Sequence, residues 1–168
     1  MKKILKLSFF LLVIALIVGA CDSKSKDGEP LDINFGYVGD LFNFKDAYVG
    51  DNSAVGNIVS RLKNAEQFKG FELKTDEEPY GIILNYSLEE TEQNYKEIVI
   101  YNATFLFTLI QNADWIMFNF ENEEYIITKE KLKNWYGEEF TGMQSEDEVK
   151  IFIQKHTDDK NKVDQLFN

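Results

Sequence analysis

The chain has few of the residues on which covalent or metal chemistry depends. Its 168 residues include one cysteine and one histidine, so the sequence permits neither an internal disulfide nor a cluster of thiolate ligands. The zinc-protease sequence His-Glu-x-x-His and the nucleophile sequence Gly-x-Ser-x-Gly are both missing. Calcium loops of the form Asp-x-Asp-x-Asp-Gly and glycine-rich phosphate loops are missing too. We therefore expect no catalytic residue, no metal site and no cofactor.

Positive charge is also scarce. Acidic residues number 29 against 18 basic ones, which gives a formal net charge of −11. Nucleic-acid binding depends on Lys and Arg side chains that neutralise phosphates, so this balance predicts no nucleic-acid partner. An anionic lipid surface should repel the chain for the same reason. In contrast, 14 phenylalanines and 8 tyrosines can supply a packed core and argue against disorder.

Residues 1–20 have the pattern of a secretory signal peptide. Three lysines within the first six residues precede a mostly apolar run over residues 7–20. The run is short for a membrane-spanning helix, which needs roughly 20 apolar residues. Removal of residues 1–20 would leave 148 residues with a formal charge of −14, because the removed segment holds three lysines and no acid.

The sequence Val18-Gly19-Ala20-Cys21 resembles the lipobox of bacterial lipoprotein signal peptides. This resemblance implies lipidation of Cys21 and cleavage before it, which would anchor the protein in the cell membrane on the extracytoplasmic face. Two acyl chains on one residue give lasting attachment. The other interpretation is a chance cysteine at the end of an uncleaved anchor helix. Residues 21–32 are mostly small and polar and predict a flexible tether, so the folded domain is expected over residues 33–168.

Periodicity predicts alternating helices and strands in the domain. Two hairpins are expected, one from strands at 68–75 and 81–88 and one from strands at 115–120 and 124–128. Helices are expected from Asn52 or Ser53 as N-cap, over 88–112, over 129–136, and from a capping box at 145–148. Residues 98–110 are also rich in β-branched and aromatic side chains, so a strand there stays an alternative. The fold class is therefore α+β: a small antiparallel sheet from two hairpins with helices packed on one face.

Several side chains are assigned to the core or the surface by the same patterns. His156, late in the last predicted helix, is expected at the surface. Trp115, Trp135 and Tyr136 could line a pocket, but core packing is the favoured interpretation. The residues expected to be buried together are Val55, Ile58, Val59, Leu62, Leu73, Ile82, Leu84, Leu106, Leu109, Ile110, Ile116 and Phe118.

A four-residue sequence occurs twice, as Tyr37-Val38-Gly39-Asp40 and as Tyr48-Val49-Gly50-Asp51. Two copies are too few for a solenoid, and we interpret the first as coincidence. The second reads as a turn into a helix, with Asp51 and Asn52 competing to cap it. Because binding groups usually lie on connections of a rigid scaffold, a recognition site is predicted where this turn meets the turn at 79–81. Its residues are Tyr48, Asp51, Asn52, Ser53, Pro79 and Tyr80. The other interpretation is that they serve only as caps and hinges.

Three segments resemble a known family. They are "YVGDNSAVGNIVSRL" at 48–62, "ELKTDEEPYGIILNY" at 72–86 and "NATFLFTLIQNADWIMF" at 102–118. Together they are similar to the bacterial domain-of-unknown-function family 4825, over roughly residue 44 to the chain end. The resemblance implies a lipoprotein or an extracytoplasmic part of a membrane protein. Some members resemble sensor-type zinc metallopeptidases, but the peptidase motif is missing from this chain.

Two functional hypotheses follow. The favoured one is a membrane-anchored extracytoplasmic lipoprotein that acts as a non-catalytic binding or sensing module for an envelope or membrane sensor protein. The alternative is an envelope hydrolase that uses paired carboxylates, which would need two acids about 5 to 9 Å apart in a cleft. Solvent-facing acids scattered over the surface would weaken that alternative.

Overall fold

One four-stranded sheet occurs among the described residues and forms one layer of the domain. The computed structural model describes residues 39–137, 140 and 142–168, so the predicted signal peptide, Cys21 and the tether lie outside the described residues. The strands follow one another across the sheet in chain order. They are β1 Phe68–Lys74, β2 Gly81–Tyr86, β3 Trp115–Asn119 and β4 Glu124–Thr128.

The predicted α+β class is confirmed, but the prediction of a purely antiparallel sheet is wrong. The two hairpins, β1–β2 and β3–β4, are antiparallel as expected, whereas β2 and β3 pair in parallel. The cause is the long helix between the hairpins, since it carries the chain back to the end of the sheet where β2 began. Neighbouring strands joined by such a crossover run in the same direction.

Five α-helices occur among the described residues, and they share one apolar core with the inner face of the sheet. They are α1 Asn52–Val59, α2 Glu92–Leu109, α3 Lys129–Tyr136, α4 Glu146–Thr157 and α5 Lys160–Phe167. Short 3-10 helices lie at Leu41–Phe44 and Ala65–Gln67. The sequence patterns had not predicted α5, which buries only Val163 and Leu166. None of the helices in the described part of the chain has the length and hydropathy that a bilayer crossing requires.

The predicted core is largely confirmed. Eleven of the twelve residues expected in it are buried, while Leu73 is only partly buried and packs against the others. The expected helix at 88–112 is also confirmed in type, although it is shorter at both ends. It begins after Thr91, whose side chain accepts a hydrogen bond from the Asn94 amide. It ends before Ile110, whose extended backbone pairs with Ala47.

Helix caps explain why the other helices begin where they do. The Asp51 carboxylate accepts from the Ala54 amide at 2.9 Å, so Asp51 caps α1. Of the two residues expected to compete for this cap, Asp51 is confirmed and Asn52 is not, and the expectation of Asn52 or Ser53 as N-cap is wrong. Asp40 accepts from the Phe42 amide and caps the first 3-10 helix in a similar way. The aspartates of both Tyr-Val-Gly-Asp copies therefore act as helix caps. The interpretation of the first copy as coincidence does not predict this shared role.

The expectation of a surface histidine at position 156 is wrong. The His156 side chain is 6% exposed and lies against the rings of Trp135, Tyr136 and Phe152. Its Nδ1 atom is 2.8 Å from the Phe152 carbonyl oxygen. The helix places His156 on the face that also buries Val149 and Ile153, because residues three and four apart share a face.

A buried polar network links α2 to its surroundings. Asn102 accepts from the Lys63 amide at 3.0 Å and donates to the Lys63 carbonyl and the Tyr86 hydroxyl, each at 3.1 Å. Thr104 lies 2.8 Å from the Tyr136 hydroxyl. Burial raises the pKa of Tyr86 and of Tyr136 well above the ordinary value for tyrosine. The network fixes the loop after α1 against the long helix, because a buried polar group is costly unless it is paired.

Candidate recognition site

The turn that leads into α1 is held rigidly, yet its tyrosine is exposed. The Ala47 amide donates to the Leu109 carbonyl at 3.1 Å, and the Ala47 carbonyl accepts from the Gln111 amide at 2.9 Å. Two residues further on, the Val49 amide donates to the Asn112 side chain at 2.8 Å. Tyr48 lies between these anchors with 57% of its surface exposed. The backbone on both sides of the tyrosine is therefore fixed while its ring remains available.

The polar residues after Tyr48 are also at the surface. Asp51, Asn52 and Ser53 are all exposed. The Asp51 amide donates to the Tyr48 carbonyl at 3.0 Å, which closes the turn. Asp51 thus has a structural task as the cap of α1. The Ser53 carbonyl accepts from the Asn57 side chain at 2.8 Å, whereas the side chains of Asn52 and Ser53 make no hydrogen bond within the described residues.

The second predicted turn is fixed to the start of β3. The Tyr80 amide donates to the Asp114 carboxylate at 2.8 Å, and the Tyr80 carbonyl accepts from the Asp114 amide at 2.9 Å. The Trp115 indole donates to the Pro79 carbonyl at 3.0 Å. Pro79 is exposed, but Tyr80 is partly buried and packs against the core. Tyr80 is therefore not the exposed aromatic that the sequence suggested.

Gly81 is needed because the indole of Trp115 lies directly on it. A Cβ atom at this position would come within 2.0 Å of the Trp115 ring. Real side-chain carbons do not approach that closely, so any other residue would displace the ring. The segment Pro79-Tyr80-Gly81 thus forms the surface on which the Trp115 ring packs.

The two turns are tied to one segment rather than to each other. Residues 110–114 join α2 to β3, and they bind the first turn through Asn112 and the second through Asp114. No hydrogen bond in the described part of the chain joins 51–53 directly to 79–81. Lys129 also belongs to this region, since its ammonium donates to the Gln111 carbonyl at 2.9 Å. Burial lowers the pKa of Lys129, and the nearby Asp114 carboxylate partly opposes that effect.

Asn112 and Asp114 were not singled out from the sequence. The available signal was a short polar stretch, Gln111-Asn112-Ala113-Asp114, between an apolar helix and an apolar strand. Asn and Asp side chains in such connections often bind backbone groups. Which backbone they bind depends on the folded arrangement, so this signal alone could not have named their partners.

Two acidic depressions lie near opposite ends of the sheet. One, of about 310 Å³, is lined by Lys74, Asp76, Glu77, Glu78, Pro79 and Trp115. The other, of about 460 Å³, is lined by Glu89, Glu90, Thr91, Glu92, Tyr95, Asn122 and Glu123. Every carboxylate in both linings belongs to an exposed residue, which is the usual state of solvated surface charge. Such exposure weakens the case for a tuned acid–base pair, which enzymes commonly build by burial.

The described residues also lack a metal-binding arrangement. No group of three or more His, Cys, Asp or Glu side chains within that part of the chain is placed to hold an ion. The groups available around the two turns are an exposed phenol, exposed amide and carboxylate groups, and an indole fixed on a glycine.

The fold defines an α+β domain in which the turn before α1 and the turn between β1 and β2 are both hydrogen-bonded to the connection between α2 and β3. The model of the family "Domain of unknown function (DUF4825)" matches residues 41–135, more than half of the chain. The chain belongs to this family. The match extends from the first 3-10 helix almost to the end of α3, so α4 and α5 lie beyond it. Neither the curated proteins nor the solved structures include a significant match.

Proposed function

We propose that this protein is a membrane-anchored extracytoplasmic lipoprotein whose domain is a non-catalytic binding or sensing module. The anchor in this proposal is lipid on Cys21, and the tether is residues 21–32. The partner would be an envelope protein or a membrane sensor protein, engaged through the turn at 48–53 and the turn at 79–80.

The observation that carries the proposal is that Tyr48 has an exposed side chain on a fixed backbone. A tyrosine that is 57% exposed would be free to move on an ordinary loop, but here hydrogen bonds to residues 109–112 fix its backbone. An aromatic side chain on a fixed backbone loses little conformational entropy on binding. Tyrosine is also among the residues that most often dominate protein interfaces.

Lipid anchoring is tested by metabolic labelling of the full chain with radioactive palmitate. The wild-type protein should incorporate label and be processed to the shorter form. The Cys21→Ala variant should do neither, because the acylated thiol is gone. Labelling of Cys21→Ala, or a complete lack of label in the wild type, would contradict the lipoprotein assignment.

Partner recognition is tested by chemical cross-linking in cells followed by purification of the full chain. Tyr48→Ala should lose a partner that the wild type retains, while Tyr48→Phe should keep most of it. Asp51→Ala and Asp51→Asn separate binding from capping, because asparagine can still cap a helix. If the alanine variants lose stability but keep the partner, these residues are architecture alone.

A further inference from the structure

The outer face of the sheet carries an apolar row across three strands. Strand register places Ile83 beside Met117 and Met117 beside Ile126, with Glu72 of β1 at the end of the row. Ile126 is 51% exposed, and Ile83 and Met117 are half-buried between their cross-strand neighbours. Ile126 is one of three large apolar residues that stand exposed in the described part of the chain.

The rows on either side of this centre are chemically different. On one side Trp115 lies over Gly81 in the row that ends at Thr128. On the other side the Asn119 side chain donates to that of Asn85 at 2.9 Å. The face thus combines an indole, an aliphatic centre and a pair of amides, which is a suitable composition for the middle of an interface.

Negative charge is concentrated at both ends of this face. Asp76, Glu77 and Glu78 follow β1 at one end, and Glu121, Glu123 and Glu124 lie around the β3–β4 turn at the other. The Lys74 ammonium on the same face is neutralised by Glu72 at 2.7 Å. A ligand that lies parallel to the strands and crosses the apolar row would therefore meet carboxylates at each of its ends.

We propose that the outer face of the sheet binds a short cationic polypeptide segment with aliphatic side chains in its middle and Lys or Arg near its ends. The aliphatic side chains would cover Ile83, Met117 and Ile126, and the basic side chains would meet the two acidic ends. This proposal rests on the proposed function in taking the domain as a binding module, and it adds the chemistry of the partner.

Size and charge favour this occupant over a second copy of the chain. The three rows span roughly 13 Å along the strands and roughly 14 Å across them, from standard strand spacings. A stable dimer buries about 800 Å² on each partner, which is far more than such a patch offers. Two copies would also bring their acidic ends together. An anionic membrane is disfavoured by the same carboxylates.

A defined peptide tests the proposal directly. The probe is a fluorescein-labelled peptide with two lysines at each end and alternating valine and threonine between, titrated onto the full chain in phosphatidylcholine nanodiscs. We expect saturable binding that weakens at high salt. The Debye length shortens as salt rises, so the attraction between the lysines and the carboxylates is screened more strongly. A peptide with glutamates in place of the lysines should not bind. Equal binding of both peptides, or no binding of the lysine peptide, would overturn the proposal.

Two matched isoleucines locate the binding surface. Ile126→Asp should lower the affinity for the lysine peptide at least about tenfold, because it places a charge in the apolar row. Ile151→Asp changes another exposed isoleucine, 68% exposed on α4, and should leave the affinity unchanged. Met117→Gln provides a second variant if Ile126→Asp unfolds, and circular dichroism checks each fold. Equal affinities for Ile126→Asp and Ile151→Asp would overturn the assignment.

Other occupants give other results. A wild-type dimer that Ile126→Asp dissociates in sedimentation would make the face a self-interface and overturn the proposal. If the lysine peptide binds only after deletion of residues 22–38, the face belongs to that segment. This result would also overturn the proposal. If the probe fails while Tyr48→Ala still loses a cellular partner, the sheet-face proposal is wrong and the proposed function stands.

Discussion

Ile126 and Ile127 are neighbours on β4, yet they have opposite environments. Ile127 is 1% exposed on the inner face, whereas Ile126 is 51% exposed on the outer face. Ile82 and Ile83 of β2 differ in the same direction, with Ile82 fully buried and Ile83 half-buried. Hydrophobic stabilisation scales with the apolar area removed from water, so the inner residues stabilise the fold far more than the outer ones. Apolar character on the outer face is thus available for a partner.

The largest expected effect separates these two isoleucines. Ile127→Ala should lower the free energy of unfolding by about 2–5 kcal/mol, because it removes buried methyl groups and leaves a cavity. Ile126→Ala, as the matched control, should stay within about 0.5 kcal/mol of wild type. Urea unfolding followed by circular dichroism measures both. Equal losses would remove the distinction between the two faces.

A smaller loss is expected where the outer face meets the turn at 79–81. Gly81→Ala should cost about 1–3 kcal/mol, because the new Cβ atom must displace the Trp115 ring. Trp115→Ala removes the obstacle, so the double variant should be more stable than the sum of the two single losses implies. If the two stability losses are strictly additive in thermal unfolding, the Trp115 ring does not require glycine at position 81.

Alkaline pH should lower the free energy of unfolding through Tyr86, on the inner face of the sheet. Burial raises the pKa of Tyr86 above its ordinary value of 10.0, so the folded state holds a proton that the unfolded state releases. Stability is therefore fully present below pH 10 and should fall above it, by about 1 kcal/mol per pH unit for each such tyrosine. Tyr86→Phe should show a shallower decline above pH 10, measured by urea unfolding across the pH series. An unchanged slope would assign the alkaline loss elsewhere.

The smallest effect is expected at the cap of α1, outside the sheet. Asp51→Ala should cost about 1 kcal/mol, since the Ala54 amide loses its acceptor. Asp51→Asn should recover most of this loss because asparagine also caps. A shift in the melting temperature reports the difference. If Asp51→Asn is as unstable as Asp51→Ala, the charge and not the cap is responsible.

Local patterns predicted most of the elements because their signals are local. Alternation placed both hairpins, and the capping box at Ser145 correctly placed the start of α4, where its hydroxyl accepts from the Glu148 amide. The parallel pairing of β2 with β3 was missed because hairpins alone do not specify how they join. A long helix between them was the signal for a crossover.

The candidate site was predicted less completely. Tyr48 was identified and is exposed, but Tyr80 proved to be partly buried, and the clamp through Asn112 and Asp114 was not foreseen. His156 was placed at the surface because its burial depends on Trp135 and Tyr136, which lie on another helix. Contacts of that kind join residues distant in sequence, and no single segment carries a signal for them.

The outer binding face and the inner core are separated most directly by measuring stability and probe affinity on the same two variants, Ile126→Asp and Ile127→Ala. We expect opposite results for the two variants under conditions where both are folded. Ile127→Ala should lose stability and bind the lysine peptide as the wild type does, while Ile126→Asp should keep its stability and bind at least about tenfold more weakly. If each variant loses affinity only in proportion to its lost stability, the outer face is not a binding surface.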